Sequence, residues 1–159
     1  MDINLKICEK IKIYEKQEAK LQFITFNNNV AWDIGSRIAL RGMEDNLPIA
    51  IDITVNGYQL FRYGCIGTNI HNELWMKRKI NMVTTIQKSS IHAAAILERD
   101  QLSIKDDWYL DPMNYASCGG CFPIILKGSG MIGTICVSGL KDYEDHQIII
   151  DTLEEYLRQ

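Results

Sequence analysis

The sequence predicts an α+β fold in which one mostly antiparallel sheet of about five strands is covered by helices, an α/β/α sandwich. Three observations lead there. Two stretches have strand character and fold back at tight-turn sequences, which is hairpin patterning. Five other stretches repeat apolar residues with helical spacing, at both ends of the chain and between the hairpins. The length, 159 residues, is usual for one domain and buries about two thirds of its unfolded surface. Residues 1–159 therefore read as a single domain whose core needs no staple.

The elements follow in order. Ile3, Ile7, Ile11 and Tyr14 form one apolar stripe among Lys and Glu, which predicts an N-terminal helix over 3–19. A short strand, Leu21–Phe26, comes next. Asn27–Asn29 offer a helix cap, Ala31, Ile34 and Ile38 continue a helical face, and Gly42 is its stop. Ile49, Ile51, Ile53 and Val55 alternate with Ala50, Asp52 and Thr54, Asn56–Gly57 supplies a tight turn, and Tyr58–Tyr63 returns. Helices over 71–86 and 89–101 follow, the second with Ser89 and Ser90 as caps. Residues 102–121 read as irregular. A second hairpin joins Phe122–Lys127 to Met131–Ser138 through Gly-Ser-Gly, and a last helix starts near Asp142.

Composition narrows the function. Net charge is −3, so no positive field draws a phosphate backbone, and nucleic acid is not an expected partner. No apolar run approaches the roughly 20 residues that span a bilayer, and charges interrupt every apolar run in residues 1–20, unlike a secretory signal. The cysteines, Cys8, Cys65, Cys118, Cys121 and Cys136, are odd in number and scattered, which fits cytoplasmic thiols better than a disulfide framework. A cytoplasmic location without membrane partners is expected. No GxGxxG or Walker pattern is present, which excludes the familiar nucleotide-binding loops.

Four features carry candidate chemistry. Trp75, Arg78, Lys79 and Met82 are spaced to share one helix side, with Asn81 nearby. Arg78 can stack on Trp75, and either cation can meet a carboxylate or phosphate. The alternative is a half-buried Trp flanked by solvated cations. Cys118-Gly119-Gly120-Cys121 has CxxC spacing, but no second CxxC exists and His71, His92 and His146 are dispersed. It therefore reads as chance more readily than as metal or redox chemistry. His146, beside Asp145 at the start of the last helix, reads either as an acid, base or axial ligand or as a surface residue. Ser138 lacks the GxSxG elbow of a hydrolase.

Five stretches, in this order, carry a resemblance: Leu47–Ile53 (LPIAIDI), Asn72–Asn81 (NELWMKRKIN), Gly119–Ile124 (GGCFPI), Gly133–Gly139 (GTICVSG) and Glu144–His146. Together they resemble the GlcG/HbpS-like haem-degrading domain family, in its small single-domain branch, from about residue 20 to the end. The resemblance implies a profilin-like α/β/α sandwich and self-assembly into dimers or larger rings. It implies haem binding or breakdown for some relatives, and links to cobalamin or glycolate metabolism for others. It singles out Trp75, Arg78, Lys79, Asn81, Gly119, Gly120, Pro123, Ser138, Gly139, Asp145 and His146. Relatives commonly carry His before the Gly-Gly pair, where this chain has Cys118, so any role of that His passes to a thiol or is lost.

The leading expectation is an oligomeric domain that binds a small anionic or tetrapyrrole ligand, haem among the candidates. Its site would draw on Trp75, Arg78, Lys79, Asn81, Cys118, Gly119, Gly120, Ser138 and His146, with no metal ligand set. One alternative is an enzyme using His146 or Cys118 in haem breakdown or acid/base work. The other is a scaffold in which Trp75 and Arg78 anchor an interface without any ligand. The helix carrying Trp75 and the Gly119–Gly120 loop are expected to meet in space.

Overall fold

The alternating residues of Ala50–Val55 decide the architecture. Ile51 and Ile53 on one side and Ala50 and Asp52 on the other are all buried, so the strand is covered on both faces. The computed structural model describes residues 3–158, except for the side chains of Ile3 and Asn4. In it, helices α1 (Ile3–Lys20) and α2 (Asn28–Glu44) precede the hairpin β1 (Ala50–Val55) and β2 (Tyr58–Gly64). Helices α3 (Ile70–Ile86) and α4 (Ser90–Asp100) follow, then the hairpin β3 (Cys121–Leu126) and β4 (Gly130–Ser138), and finally α5 (Asp142–Leu157). The four strands form one sheet in the order β2-β1-β4-β3, antiparallel throughout. The two hairpins thus sit side by side and pair through β1 and β4.

Each face has its own core. Ile51, Ile53, Ile135, Val137, Phe122 and Ile124 meet Ala31, Ile34 and Ile38 of α2 and Ile149 and Leu153 of α5. On the opposite face, Ala50, Cys121 and Cys136 meet Met76 and Val83 of α3. The small residues on this second face let α3 lie close to the sheet. Ile7 and Ile11 of α1 are covered by Ala95 of α4, so the apolar stripe of the N-terminal helix is satisfied within the chain. The side chain of Ile3, the first member of that stripe, lies outside the described residues.

One expected strand is not built. Leu21–Phe26 contributes a single parallel bridge, Phe23 to Leu126, and the sheet has four strands rather than five. Phe23 does exchange two backbone hydrogen bonds with the β3 edge: its N–H donates to Ile125 O and its O accepts from Lys127 N–H, both at 2.8 Å. Two features stop the pairing from extending. The β3 register is irregular at Ile124/Ile125, and the chain must turn at once into Asn27, whose side chain caps α2 by accepting from Asn29 and Val30 N–H. The buried, apolar character of Leu21 and Phe23 is real, but it is that of a plug, not a strand. Among the described residues no helix is long and apolar enough to cross a membrane.

Candidate functional site

Asn69 starts the helix on which the candidate site is built. Its side chain accepts from His71 N–H at 2.9 Å, and its own N–H donates to Asn72 Oδ1 at 2.9 Å, a reciprocal cap that fixes where α3 begins. Asn72 Nδ2 then donates to Ser138 O at 3.3 Å, tying the start of α3 to the end of β4. From there α3 crosses the sheet with Met76, Lys79, Met82 and Val83 facing inward.

The expected face of four residues is therefore split. Trp75 and Arg78 lie on the outer side of α3, whereas Lys79 turns in, 3% exposed, and Met82 is fully buried. Lys79 is not solvated but is paired inside the protein. Its Nζ donates to Val137 O at 3.0 Å and to Asp145 Oδ2 at 3.2 Å. Asp145 also accepts from Leu140 N–H at 2.9 Å and Gly139 N–H at 3.3 Å, so the ion pair joins α3, β4 and the start of α5. Burial is the largest influence on both partners. It pulls Lys79 down, but the neighbouring Cys136 and Asp145 outweigh it and leave the ammonium above its ordinary value. It pushes the Asp145 carboxyl up, only partly offset by Lys79 and the two amides.

The glycines explain how the 118–121 segment comes so near. Gly120, at φ 117°, lies where a Cβ would strike Val137 O and come within 2.7 Å of Lys79 Nζ, and a Cβ on Gly119 would overlap Asp142 O. The helix carrying Trp75 and the Gly-Gly loop do meet, through Lys79. Cys118, Ser138, Gly139, Asn69, Trp75 and the Lys79–Asp145 pair border one cleft of about 350 Å³. Cys121 lies beneath it, fully buried and directly opposite Cys136 in the sheet.

A second, larger groove of about 600 Å³ runs along the outer side of α3, lined by His71, Trp75, Lys77, Arg78, Asn81 and the Pro112–Asn114 turn. Arg78 stacks over Trp75, its Cζ 4.6 Å from the ring centroid, and its Nη2 donates to Pro112 O at 2.8 Å. Asn81 Nδ2 donates to Asn114 O at 2.9 Å, and Ala116 N–H to Arg78 O at 3.2 Å. These three bonds fasten the irregular segment to the helix. Arg78 Nε, by contrast, is buried and has no hydrogen-bond partner among the described residues. His71 borders both grooves, with its ring 6.3 Å from that of Trp75. Its position two residues after the cap was the available signal, but a lone exposed His in a first turn carries little weight by itself.

His146 is not the surface residue that one of the two sequence readings expected. It is 2% exposed, and its Nε2 lies 2.8 Å from Gln17 Oε1. Tyr14 and Phe122 flank its ring. It faces α1, not the cleft bordered by Cys118 and Asp145. Burial lowers its pKa to about 4, against smaller opposing effects of Glu18 and Asp142. His92 is likewise interior, held by Glu18, which also accepts from Ser89 N–H and Oγ. Ser89 is the N-cap residue of α4, as expected, but its hydroxyl donates to Glu18.

Cys118 is the half-exposed thiol of the cleft. Burial raises its pKa more than the nearby Lys79 lowers it, so little thiolate exists at neutral pH. Alkylation of the folded protein at pH 7 is expected to modify Cys118 no faster than Cys8, as read by peptide mass mapping. Much faster labelling at Cys118 would show an activated thiol. Among the described residues no cluster of three or more His, Cys, Asp or Glu side chains is arranged to hold a metal ion.

Comparison with known proteins adds four findings. Residues 26–154 match the family described as haem degrading protein HbpS-like. The chain is 42% identical over 143 residues to a UPF0303 protein of Azotobacter vinelandii, covering 90% of this chain and 86% of that one. Among solved structures, the Ybr137w protein superposes with a TM-score of 0.85 at 26% identity, over 93% of this chain and 87% of that one. A complex of PduOC with haem superposes at 0.65 with 12% identity, over 82% and 92% of the two chains. The last similarity is one of fold.

Proposed function

The chain belongs to the HbpS-like family, and from that membership and the groove on α3 we propose that it is a self-associating domain that binds a haem-type tetrapyrrole or a related anionic, flat ligand. The observation that carries this reading is Arg78. Its guanidinium is stacked on Trp75 at the groove wall, and its Nε–H is buried with no partner. A buried donor left unsatisfied costs about 1–3 kcal/mol, and an anionic group in the groove would relieve it. The donor set fits haem: His71 offers an imidazole to iron, Trp75 a flat apolar wall, and Arg78 and Lys77 positive charge for propionates. Bound haem would supply an iron centre, and these residues would hold and orient it. Its binding in the PduOC structure supports the choice of probe.

Self-association has a surface as well. Trp32 and Leu40 of α2 and Leu60, Phe61 and Tyr63 of the unpaired β2 edge line an apolar groove, with Trp32 68% exposed. Contiguous apolar surface beside an open strand edge is suited to contact between copies. The enzyme reading is less favoured, since His146 is interior and burial keeps Cys118 protonated. A cytoplasmic setting remains the natural one for five unpaired cysteines.

Native mass spectrometry with haemin tests both parts. Multiples of the 18.2 kDa chain, each subunit carrying one haem, are expected. Arg78→Ala and His71→Ala should each weaken loading roughly tenfold or more while leaving subunit number unchanged. Haemin loading that is absent, or equal in both variants and the parent protein, would defeat the ligand reading. A monomer at micromolar concentration would defeat the assembly reading.

A further inference from the structure

On the same face of the sheet, beyond the C-terminal half of α3, lies another groove of about 640 Å³. Its floor is made by Asp52 and Thr54 of β1, Gln59 of β2 and Thr134 of β4. α3 forms one wall with Glu73, Lys77, Ile80 and Thr84, and Met131 and Ile132 add apolar surface. Two features of the floor stand out. Asp52 is 4% exposed, and its carboxylate accepts from Thr54 Oγ1 and Gln59 Nε2, both at 2.6 Å and both neutral donors. Among the described residues no Lys or Arg nitrogen lies within ion-pair distance of it. Arg62, its cross-strand neighbour, is committed to Glu73 at 2.6 Å. The second feature is Thr134, 2% exposed and directly opposite Thr54; among the described residues the Thr134 hydroxyl has no hydrogen-bond partner.

A carboxylate taken out of water is costly unless a cation and a full set of hydrogen bonds replace its hydration. The chain neutralises Asp145 with Lys79 but leaves Asp52 to two neutral donors. A carboxylate has about four acceptor positions, so roughly half remain. We infer that this groove is a second binding site, for a small primary amine whose ammonium group pairs with Asp52 and donates to the Thr134 hydroxyl. The ammonium brings the missing positive charge and up to three donors, and a short alkyl chain would lie along Ile80, Met131 and Ile132. A carboxylate ligand would meet Asp52 with like charge, and a neutral alcohol would leave it unneutralised. The site is separate from the Trp75–Arg78 groove. Lys77 and Asn81 border both, but Asp52 and Thr134 border only this one.

Amide NMR of the full chain, titrated with n-butylammonium, n-butanol and butyrate at matched ionic strength, tests the inference. Butylammonium is expected to give saturable shifts at Thr54, Gln59 and Thr134, with butanol and butyrate giving none at the same concentrations. Asp52→Asn, nearly isosteric, should weaken butylammonium binding roughly tenfold or more. Thr134→Val breaks no existing side-chain hydrogen bond and should weaken binding several-fold without lowering Tm. The probe comparison on the parent protein needs no variant, so it decides even if Asp52→Asn fails to fold. Butanol shifting the same amides equally, no saturable shift at all, or unchanged affinity in both variants would overturn the assignment. Because haemin loading is read at Arg78 and His71, the two sites succeed or fail independently.

Discussion

Lys79→Ala is expected to destabilise the protein by about 3–5 kcal/mol, the cost typical of removing one partner from a buried ion pair. Total stability for a domain is about 5–15 kcal/mol, so this one change can leave the chain barely folded. Asp145, 2% exposed in the parent protein, would keep only the N–H groups of Gly139 and Leu140 facing its charge. Those two bonds also decide which compensating change works. Asp145→Leu would strand both amides, whereas Asp145→Asn keeps an acceptor for them and removes the charge. Lys79→Met combined with Asp145→Asn is therefore expected to recover most of the loss. Urea unfolding of the parent protein, Lys79→Met, Asp145→Asn and the double variant, which close a double-mutant cycle, gives the coupling directly. A cost below about 1 kcal/mol for Lys79→Ala would mean that water reaches the pair and that it is not the tie between α3, β4 and α5 described above.

The sequence made the helices and hairpins legible because each is specified locally. Asn27 and Asn69 cap helices by bonding amides two or three residues away, and Asn56–Gly57 turns a hairpin through its own backbone angles, φ 51° and 78°. What failed depended on partners far along the chain. Helical spacing placed Lys79 with Trp75 and Arg78, and the three do lie within a narrow arc. That arc straddles the line between core and solvent, and Lys79 falls inward only because Asp145, 66 residues later, neutralises it. His146 looked exposed because it opens a helix among charged residues. It is buried because Gln17, at the far end of the chain, bonds it and Tyr14 covers its ring. The Leu21–Phe26 strand was lost to a cap and an edge irregularity that periodicity does not register. Asp52 was visible only as the polar member of an alternating strand. Its lack of a counter-charge is a fact about three strands together.

Acidification from about pH 6.5 to pH 4 is expected to remove up to about 3 kcal/mol of stability through His146 alone. Burial lowers the pKa of this imidazole to about 4 from an ordinary value near 6.5. Each pKa unit corresponds to about 1.4 kcal/mol. The sign follows from proton counting. Above pH 6.5 the residue is neutral in both folded and unfolded chains and contributes no pH dependence. Between 6.5 and 4 the unfolded chain binds the proton and the folded chain does not, so acid favours unfolding. Below 4 both are protonated and the penalty stops growing. The groups around it are Gln17, Tyr14 and Glu18 from α1, Asp142 one turn before it, and the ring of Phe122 from β3. Glu18 and Asp142 favour the charged form, but burial is the larger influence. Protonation would also place a second N–H, at Nδ1, which has no acceptor among the described residues. His146→Gln removes the titration and retains a polar group. Its stability, measured by urea unfolding at intervals from pH 7.5 to 4.5, should fall less steeply than that of the parent protein. Parallel curves across that range would show that water or a shift of α1 relieves the imidazolium, and that the α1–α5 contact is looser than its geometry implies.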